Sequence, residues 1–296
     1  PTSGEPSLLM RVFSPPAALH LRLGDTVMDV THRALVMGIL NRTKDSFFAP
    51  AATFDLDAFL FRAEALVRDG ADLLDVGGVK AGPGDDVSEE EELERVVPAI
   101  EELRRRFDVP LSIDTWRASV ARACFAHGAV VGNDISGFAD PDYLAVAATA
   151  GATVVATHIR LRPRVADPTP EYDDVVKTVR DFLLDRRERA RAAGVADDRI
   201  ILDAGFDLGK TAAQSLELLR HSAELADLGS PLLLSASNKT FLGVMFDLPV
   251  TDRREPTLAA SALGIVAGGR VLRVHDVQGT VRVRDAMMRL SEERHG

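Results

Sequence analysis

Pro110-Leu111-Ser112-Ile113-Asp114-Thr115 is a short apolar run closed by a carboxylate and a hydroxyl. Its reading decides the fold, because the same pattern recurs along the chain. Ala34 to Leu40 ends at Asn41, Asp72 to Val76 at Gly77-Gly78, and Ala129 to Gly132 at Asn133-Asp134. Thr153 to Ala156 ends at Thr157-His158, and Ile200 to Leu202 at Asp203. Leu232 to Leu234 ends at Ser235, with Ser237-Asn238-Lys239 beyond it, and Val271 to Val274 ends at His275-Asp276. Together these are eight apolar runs, and a stretch of 3.6-residue periodicity follows most of them. The helical stretches read Leu56 to Asp69, Ser88 to Phe107, Arg117 to His127, Val175 to Ala193 and Ala212 to Asp227. The pattern predicts a (β/α)₈ barrel. Ending buried strands in amides, carboxylates and imidazoles gains nothing in packing. It does gather polar groups at the one barrel mouth where βα loops build active sites.

Working outward, 296 residues fit one barrel of about 250 residues with a short extension. The boundaries read as 1–31 for the extension and 32–296 for the barrel domain. Within the extension, His20 to Leu23 and Thr26 to Val30 flank Gly24-Asp25 and read as a hairpin, placed to plug the barrel bottom. The start, Pro1-Thr2-Ser3-Gly4, lacks the basic and apolar regions of a secretory signal, and no apolar run reaches the roughly 20 residues of a membrane span. The net charge of −10 repels nucleic acid and anionic membranes. With a single cysteine, Cys124, intrachain disulfides are impossible and a cytoplasmic home is expected. Cys124 itself reads as a small core residue. Ser88 with Glu91 reads as a capping box, Gly194 as a helix C-cap, and Glu89 to Glu92 as a charged helix start.

Two constellations carry chemistry. Asp114, Asn133 and Asp203 close three strands, and Lys239 lies just past the seventh. Carboxylates deep in a barrel are costly unless they meet donors. A flat heterocycle with several N–H groups and one carbonyl oxygen would satisfy the set. Bonding of each carboxylate to nearby backbone amides is the plain alternative for any one of them. The second constellation is Asn41, Arg273 and His275, from the ends of strands one and eight. Arg and His beside an amide suit an oxyanion or phosphate. Arg273 and His275 share one face while Val274 takes the other.

These residues carry a resemblance. Met37-Gly38-Ile39-Leu40-Asn41 with Thr43 and Asp45-Ser46-Phe47, Asp75-Val76-Gly77-Gly78, Ile113-Asp114-Thr115, Asn133-Asp134-Ile135-Ser136-Gly137, Ser237 with Lys239, and Arg273-Val274-His275-Asp276-Val277 together resemble the signatures of the dihydropteroate synthase family of pterin-binding barrels. The match runs from about Ala34 to the C-terminus. The resemblance implies that Asp114, Asn133, Asp203 and Lys239 hold a dihydropterin ring, with Ser237 and Asn238 beside it. It implies that Asn41, Arg273 and His275 hold a diphosphate leaving group, with Asn41 near a Mg²⁺ ion. The catalytic set it implies is Asn41, Lys239, Arg273 and His275. The family joins dihydropterin-CH₂-diphosphate to p-aminobenzoate and expels diphosphate, a folate-pathway transferase reaction. Members often form homodimers through C-terminal helices. Here the helix from Val281 to Leu290, with Met287 and Met288, offers an apolar face that equally suits packing on the barrel.

The chain departs from the family pattern in one half of the mouth. After Gly78 the usual Glu-Ser-Thr-Arg-Pro-Gly is Val79-Lys80-Ala81-Gly82-Pro83-Gly84, and the usual Ser-Arg-Lys is Ser237-Asn238-Lys239. Asp203 leads into Ala204-Gly205-Phe206-Asp207-Leu208-Gly209-Lys210, with Leu208 where an aromatic would flank the aminobenzoate. In the first loop, Lys44 and Phe48-Ala49-Pro50-Ala51 replace the usual residues. Each charge-assisted hydrogen bond lost costs about 1.5–3 kcal/mol. The pattern resembles a divergent second copy of the synthase, such as those of some actinobacteria. Two functional readings follow. One is a synthase-like transferase with an altered amine site; the other is a pterin-phosphate-binding paralogue without synthase activity. A pterin-dependent methyltransferase subunit needs no diphosphate site, so Asn41, Arg273 and His275 count against it. Arg42, Lys44, Lys80, Arg160, Arg162 and Arg164 add positive charge to mouth loops. They read either as solvated surface or as a site for a different anionic second substrate.

Overall fold

In the computed structural model, which describes residues 18–42 and 56–291, eight parallel strands close into a barrel in the order β10-β3-β4-β5-β6-β7-β8-β9. They are β3 (Leu35–Asn41), β4 (Leu73–Gly77), β5 (Leu111–Asp114), β6 (Val131–Asp134), β7 (Thr153–Thr157), β8 (Ile200–Asp203), β9 (Leu232–Leu234) and β10 (Gly269–Val274). The helices between and after them are α1 (Leu56–Arg68), α2 (Glu89–Arg106), α3 (Ala118–Ala126), α4 (Tyr143–Ala150), α5 (Val175–Ala192), α6 (Ala212–Arg220), α7 (Ser222–Ala226), α8 (Thr240–Phe246), α9 (Arg254–Val266) and α10 (Val277–Ser291). The expected barrel is therefore present. The helix read over Ala212 to Asp227 is broken at His221 into α6 and α7. Helices α4, α8 and α9 had no distinct periodicity: α4 is alanine-rich and apolar around most of its surface, so it shows no stripe.

Period-2 alternation sorts each barrel strand into two faces. Val36, Leu40, Leu74, Val76, Ile113, Val154, Leu202, Leu234 and Val274 face the helices in one apolar layer. Leu35, Met37, Leu73, Val131, Val155, Ile201, Leu233 and Val271 fill the barrel interior. The hairpin β1 (His20–Leu23) and β2 (Thr26–Asp29) sends Leu21, Leu23 and the following Val30 into that same inner cluster. It closes the barrel bottom as expected, and Arg199 fastens it by donating to the Gly24 carbonyl at 3.0 Å.

Helix ends obey local chemistry, with one correction. Ser88 Oγ accepts the Glu91 N–H at 3.0 Å, but the Glu91 side chain pairs with Arg95 instead of returning to the cap. Only half of the expected capping box forms; a complete one stands at Thr211 and Gln214. The acidic helix start expected over Glu89 to Glu92 stands in the first turn of α2, and one of its members lies inside the protein. Glu92 is fully buried and bonded to Arg117, and burial raises its carboxyl above the usual range. Gly194 follows α5 at φ +94°, as the C-terminal signal required. Cys124 is buried, and burial pushes its thiol up to about 12, so it is an inert core residue. No described helix is long and apolar enough to cross a membrane.

Candidate functional site

The inner face of the barrel turns polar one step above its apolar layer. On β4 the inward series is Leu73, Asp75, Gly77; on β5 it is Ser112, Asp114; on β6, Val131, Asn133; on β8, Ile201, Asp203; on β10, Val271, Arg273. The register aligns Asn41 with Gly77, Gly77 with Asp114, and Asp114 with Asn133. Four strand ends thus form one continuous row.

Arg273 ties this floor together. Its Nε donates to Asp75 Oδ2 at 2.6 Å and its Nη2 to Asp114 Oδ2 at 2.7 Å, while Asn133 Nδ2 donates to Asp75 Oδ2 at 3.1 Å. One guanidinium faces two carboxylates, so an excess negative charge remains in a buried place. Burial accordingly pushes the Asp114 carboxyl up to about 7, with Arg273 pulling the other way and Asp75 adding to the rise. Burial also raises Asp203, against its bond from the Gly205 N–H at 2.8 Å and the charges of Lys239, Arg273 and Lys210. Buried atoms without hydrogen-bond partners among the described residues include Asp75 Oδ1, Ser112 Oγ and Thr157 Oγ1, all on inward-facing residues. Buried polar groups are normally satisfied. Other such atoms lie elsewhere in the fold, but these three share the inner face of the barrel, and Asp75 Oδ1 is an acceptor beside the floor carboxylates. By contrast, Asp134 faces away from the floor and accepts the Ser136 and Phe138 N–H groups at 2.6 and 2.9 Å, a turn-holding role.

The other expected residues line the same mouth. His275 Nδ1 lies 3.0 Å from Ser237 Oγ, which also accepts the His275 N–H at 3.2 Å. Burial, then the Arg273, Arg62 and Lys239 charges, pull His275 down to about 4, so its imidazole is neutral at pH 7. Arg273 and His275 do not bond each other. Arg273 spends Nε and Nη2 on the carboxylates and leaves Nη1 for a ligand oxyanion. Lys239 is the N-cap residue of α8 and is half-buried; burial lowers its ammonium below the usual range. Asn238 holds φ +56°, and its side chain is half-buried. Asn41 is exposed at the end of β3. A Cβ added to Gly77 would stand 3.5 Å from Asn41 Oδ1 and 3.6 Å from Asp114 Oδ2. Both are ordinary contact distances, and Asp114 Oδ2 already accepts from Arg273 Nη2. Asn41 Oδ1 is the oxygen left at this edge of the mouth, and one amide oxygen suits Mg²⁺, which takes few protein oxygens and draws the rest from phosphates and water.

The loops around the mouth answer the question of its arginines. Arg164, at φ +70°, reaches from the β7–α5 loop to the β4–α2 loop. Its Nη1 donates to the Lys80 and Gly82 carbonyls at 3.0 and 2.8 Å, its Nη2 donates to the Asp85 carbonyl, and its N–H donates to Ala81 O at 3.1 Å. Arg160 is paired with Asp167 at 2.9 Å. Arg42 is buried and donates to the Arg95 carbonyl at 2.6 Å. Arg162 takes part through its carbonyl, which accepts the Val165 N–H at 3.3 Å. A shared anion site built from Arg160, Arg162 and Arg164 is thus not assembled. Lys44 and Phe48-Ala49-Pro50-Ala51 lie outside the described residues. Arg164→Ala is expected to raise amide hydrogen exchange across 79–86 by about tenfold or more, since three main-chain acceptors lose their donor. Unchanged exchange there would show that the bridge does not hold the loop.

Sequence reading missed one site residue and a buried pair beside the mouth. Asp75 was quoted in a motif but not assigned a role; counting inward positions on strand two would have found it. His158 and Lys210 form a buried pair at the end of β7. Lys210 Nζ lies 2.9 Å from His158 Nδ1 and donates to the carbonyls of Gly205 at 2.9 Å, Leu208 at 3.1 Å and His158 at 3.2 Å. Gly205, at φ +66°, permits this approach: a Cβ there would lie 2.0 Å from the His158 carbonyl oxygen. Burial, then Lys210, pull His158 down to about 3. Its folded value lies below its unfolded one, so the unfolded chain takes up the proton first. The stability tied to this neutral ring is complete above about pH 6.5 and is lost as pH falls toward 3. A His158→Gln variant is expected to show a pH–stability slope shallower by about 1.4 kcal/mol per pH unit between pH 6 and 4. Parallel denaturation curves at four pH values check it.

Comparison with known proteins agrees with this geometry. The model of the pterin binding enzyme family matches residues 37–275. The inactive dihydropteroate synthase 2 of Mycobacterium leprae is 46% identical over 261 residues, covering 85% of this chain and 88% of that protein. The dihydropteroate synthase of Synechocystis is 41% identical over 283 residues, covering 94% and 96%. The structure of Xanthomonas albilineans dihydropteroate synthase with 4-aminobenzoic acid superposes with a TM-score of 0.86 at 35% identity, covering 93% and 98%. The chain belongs to the pterin binding enzyme family, among the dihydropteroate synthases.

Proposed function

We propose that this chain is a dihydropteroate synthase-type transferase. It binds a dihydropterin-CH₂-diphosphate and joins its methylene to p-aminobenzoate or a related amine. The single observation behind this reading is the inward ring of Asp75, Asp114, Asn133 and Asp203, with Asp75 Oδ1 buried and lacking a donor. A pterin edge carries the adjacent N–H groups such a floor lacks. Asp203 and Asp114 accept ring N–H groups, Asn133 donates and accepts, and Lys239 donates to the ring carbonyl or a ring nitrogen. Asn238, Ser237 and Lys239 border the space for the amine.

In the reaction the methylene–oxygen bond breaks, and its electron pair leaves with the diphosphate. The amine nitrogen forms the new bond and gives up a proton to solvent. No protein nucleophile is required. The work of the protein is to stabilise the departing charge with pre-placed donors: Arg273 Nη1, His275 and Asn41. Mg²⁺ supplies further neutralisation of the diphosphate, and Asn41 Oδ1 at the end of β3 would hold it. We also propose a cytoplasmic protein and a homodimer. Val244, Met245, Phe246 and Val250 are exposed on α8 and the turn after it, while Met287 and Met288 on α10 are half-buried. Large exposed apolar side chains in one place suit a protein partner.

The second reading keeps the pocket and drops the turnover. Its support is the likeness to the M. leprae protein and a β4–α2 loop that carries Ala81 and Gly82 and is tied down by Arg164. Calorimetric titration with dihydropterin diphosphate, with and without Mg²⁺ and p-aminobenzoate, is paired with an assay for pteroate. Binding with product supports the transferase, and binding without product supports the paralogue. Absence of binding removes both.

A further inference from the structure

Helix α8 starts directly after Lys239, yet Lys239 provides no side-chain cap. The first N–H groups of the helix are taken up by a different loop. Asp207, between β8 and α6, accepts the Thr240 N–H, and it accepts the Phe241 N–H at 3.3 Å. It does so from φ +65°, a backbone region that favours glycine. The Asp207 N–H donates to the buried Ser215 Oγ at 3.0 Å, which fixes the carboxylate on the first turn of α6. The carbonyls at the same point are held from the other side. Arg253 Nη1 donates to Asn238 O at 3.0 Å and Lys239 O at 3.3 Å, and the Asn238 N–H donates to Thr257 Oγ1 at 3.1 Å. The main chain that carries Lys239 is gripped on both sides by side chains from two other segments.

We propose that Asp207 is a positioning residue for Lys239. By capping α8 from the strand-six loop, its carboxylate aims the Lys239 ammonium at the ring-binding floor and joins the two loops that border the amine space. This rests on the pterin-binding reading above. A non-glycine residue in the left-handed region persists where its side chain makes contacts that over-determine it, and Asp207 makes contacts to two helices. It also acts on the charge of Lys239. Burial lowers that ammonium, and Asp207 opposes the lowering ahead of Asp203 and Asp114, while Arg273 adds to it. Lys210 and His275 also feel the Lys239 charge.

Two variants of the full chain test this. Asp207→Gly relaxes the backbone and removes the cap. Asp207→Asn keeps an acceptor oxygen and removes the charge. Asp207→Gly is expected to bind dihydropterin diphosphate about tenfold more weakly, the loss of one charge-assisted hydrogen bond. Asp207→Asn is expected to stay within about threefold of the parent at pH 7, while the Lys239 ammonium titrates at lower pH in the free protein, read by NMR of labelled lysine. A carboxylate that did not face the Lys239 ammonium would not move that titration. Parent-like affinity in Asp207→Gly together with an unmoved Lys239 titration in Asp207→Asn overturns the proposal. A parent protein that fails to bind the pterin removes the functional reading, and the free-protein titration then decides the role of Asp207 alone. Where Asp207→Gly does not fold, the Asn variant carries the decision.

Discussion

Arg273→Met is expected to cost about 3–5 kcal/mol of folding stability, the price of stranding a buried charge by removing its partner. Asp75 is fully buried and Asp114 nearly so, and both rest on this guanidinium. In a chain of this size the midpoint of thermal unfolding should fall by roughly 10 °C. The loss has a definite pH dependence. Without Arg273 the Asp114 carboxyl, already raised by burial, keeps a folded-state value above its unfolded one, so the folded protein binds the extra proton. Stability then falls as pH rises, and the deficit is largest near pH 8 and smaller near pH 5. Arg273→Met combined with Asp75→Asn should recover part of the loss, because a neutral amide costs less to bury. Arg273→Lys should fall between parent and Met, since one ammonium cannot span both carboxylates as the planar fork does. Thermal melts at two pH values check the series. Equal melting of parent and Arg273→Met at pH 8 would show that the carboxylates are not held by this residue.

Asp203→Asn separates binding from stability. The side chain is buried, and burial holds its carboxyl above the ordinary range, so its charge is a folding cost retained for a ligand. Asparagine keeps the acceptor for the Gly205 N–H and removes the charge. Thermal stability should be unchanged or higher. Affinity for a dihydropterin should fall by about a hundredfold or more, because two charge-assisted hydrogen bonds at about 1.5–3 kcal/mol each weaken together. Calorimetry and a melt on the same sample read both quantities. A variant that binds as well as the parent would remove Asp203 from the ring floor, and one that melts well below it would make the residue structural.

Much of the architecture was legible because the signals are local. Alternation within a strand and periodicity within a helix are set by residues two to four positions apart. Strand ends were read within a residue or two, and the hairpin plug followed from Gly24-Asp25 between two apolar pairs. Gaps arose where a residue's partner lies far along the chain. Glu92 read correctly as part of a charged helix start, but its burial against Arg117 could not be seen there. Arg164 read as a free mouth cation, yet it is spent on carbonyls 79 to 84 positions away. Asp207 was given no role, yet it caps a helix 33 positions on.

The amino-acid sequence by itself determined the (β/α)₈ barrel, the inward direction of its polar strand ends and the family to which it belongs. All three follow from short-range periodicity and from motifs contiguous in the chain. Only the tertiary structure decided which charges meet: Arg273 between Asp75 and Asp114, Arg164 across two loops, Lys239 held between Asp207 and Arg253. Barrel closure and the stagger of its strands choose those neighbours. Burial then sets the cost of each charge, and neither quantity is written in any local stretch of residues.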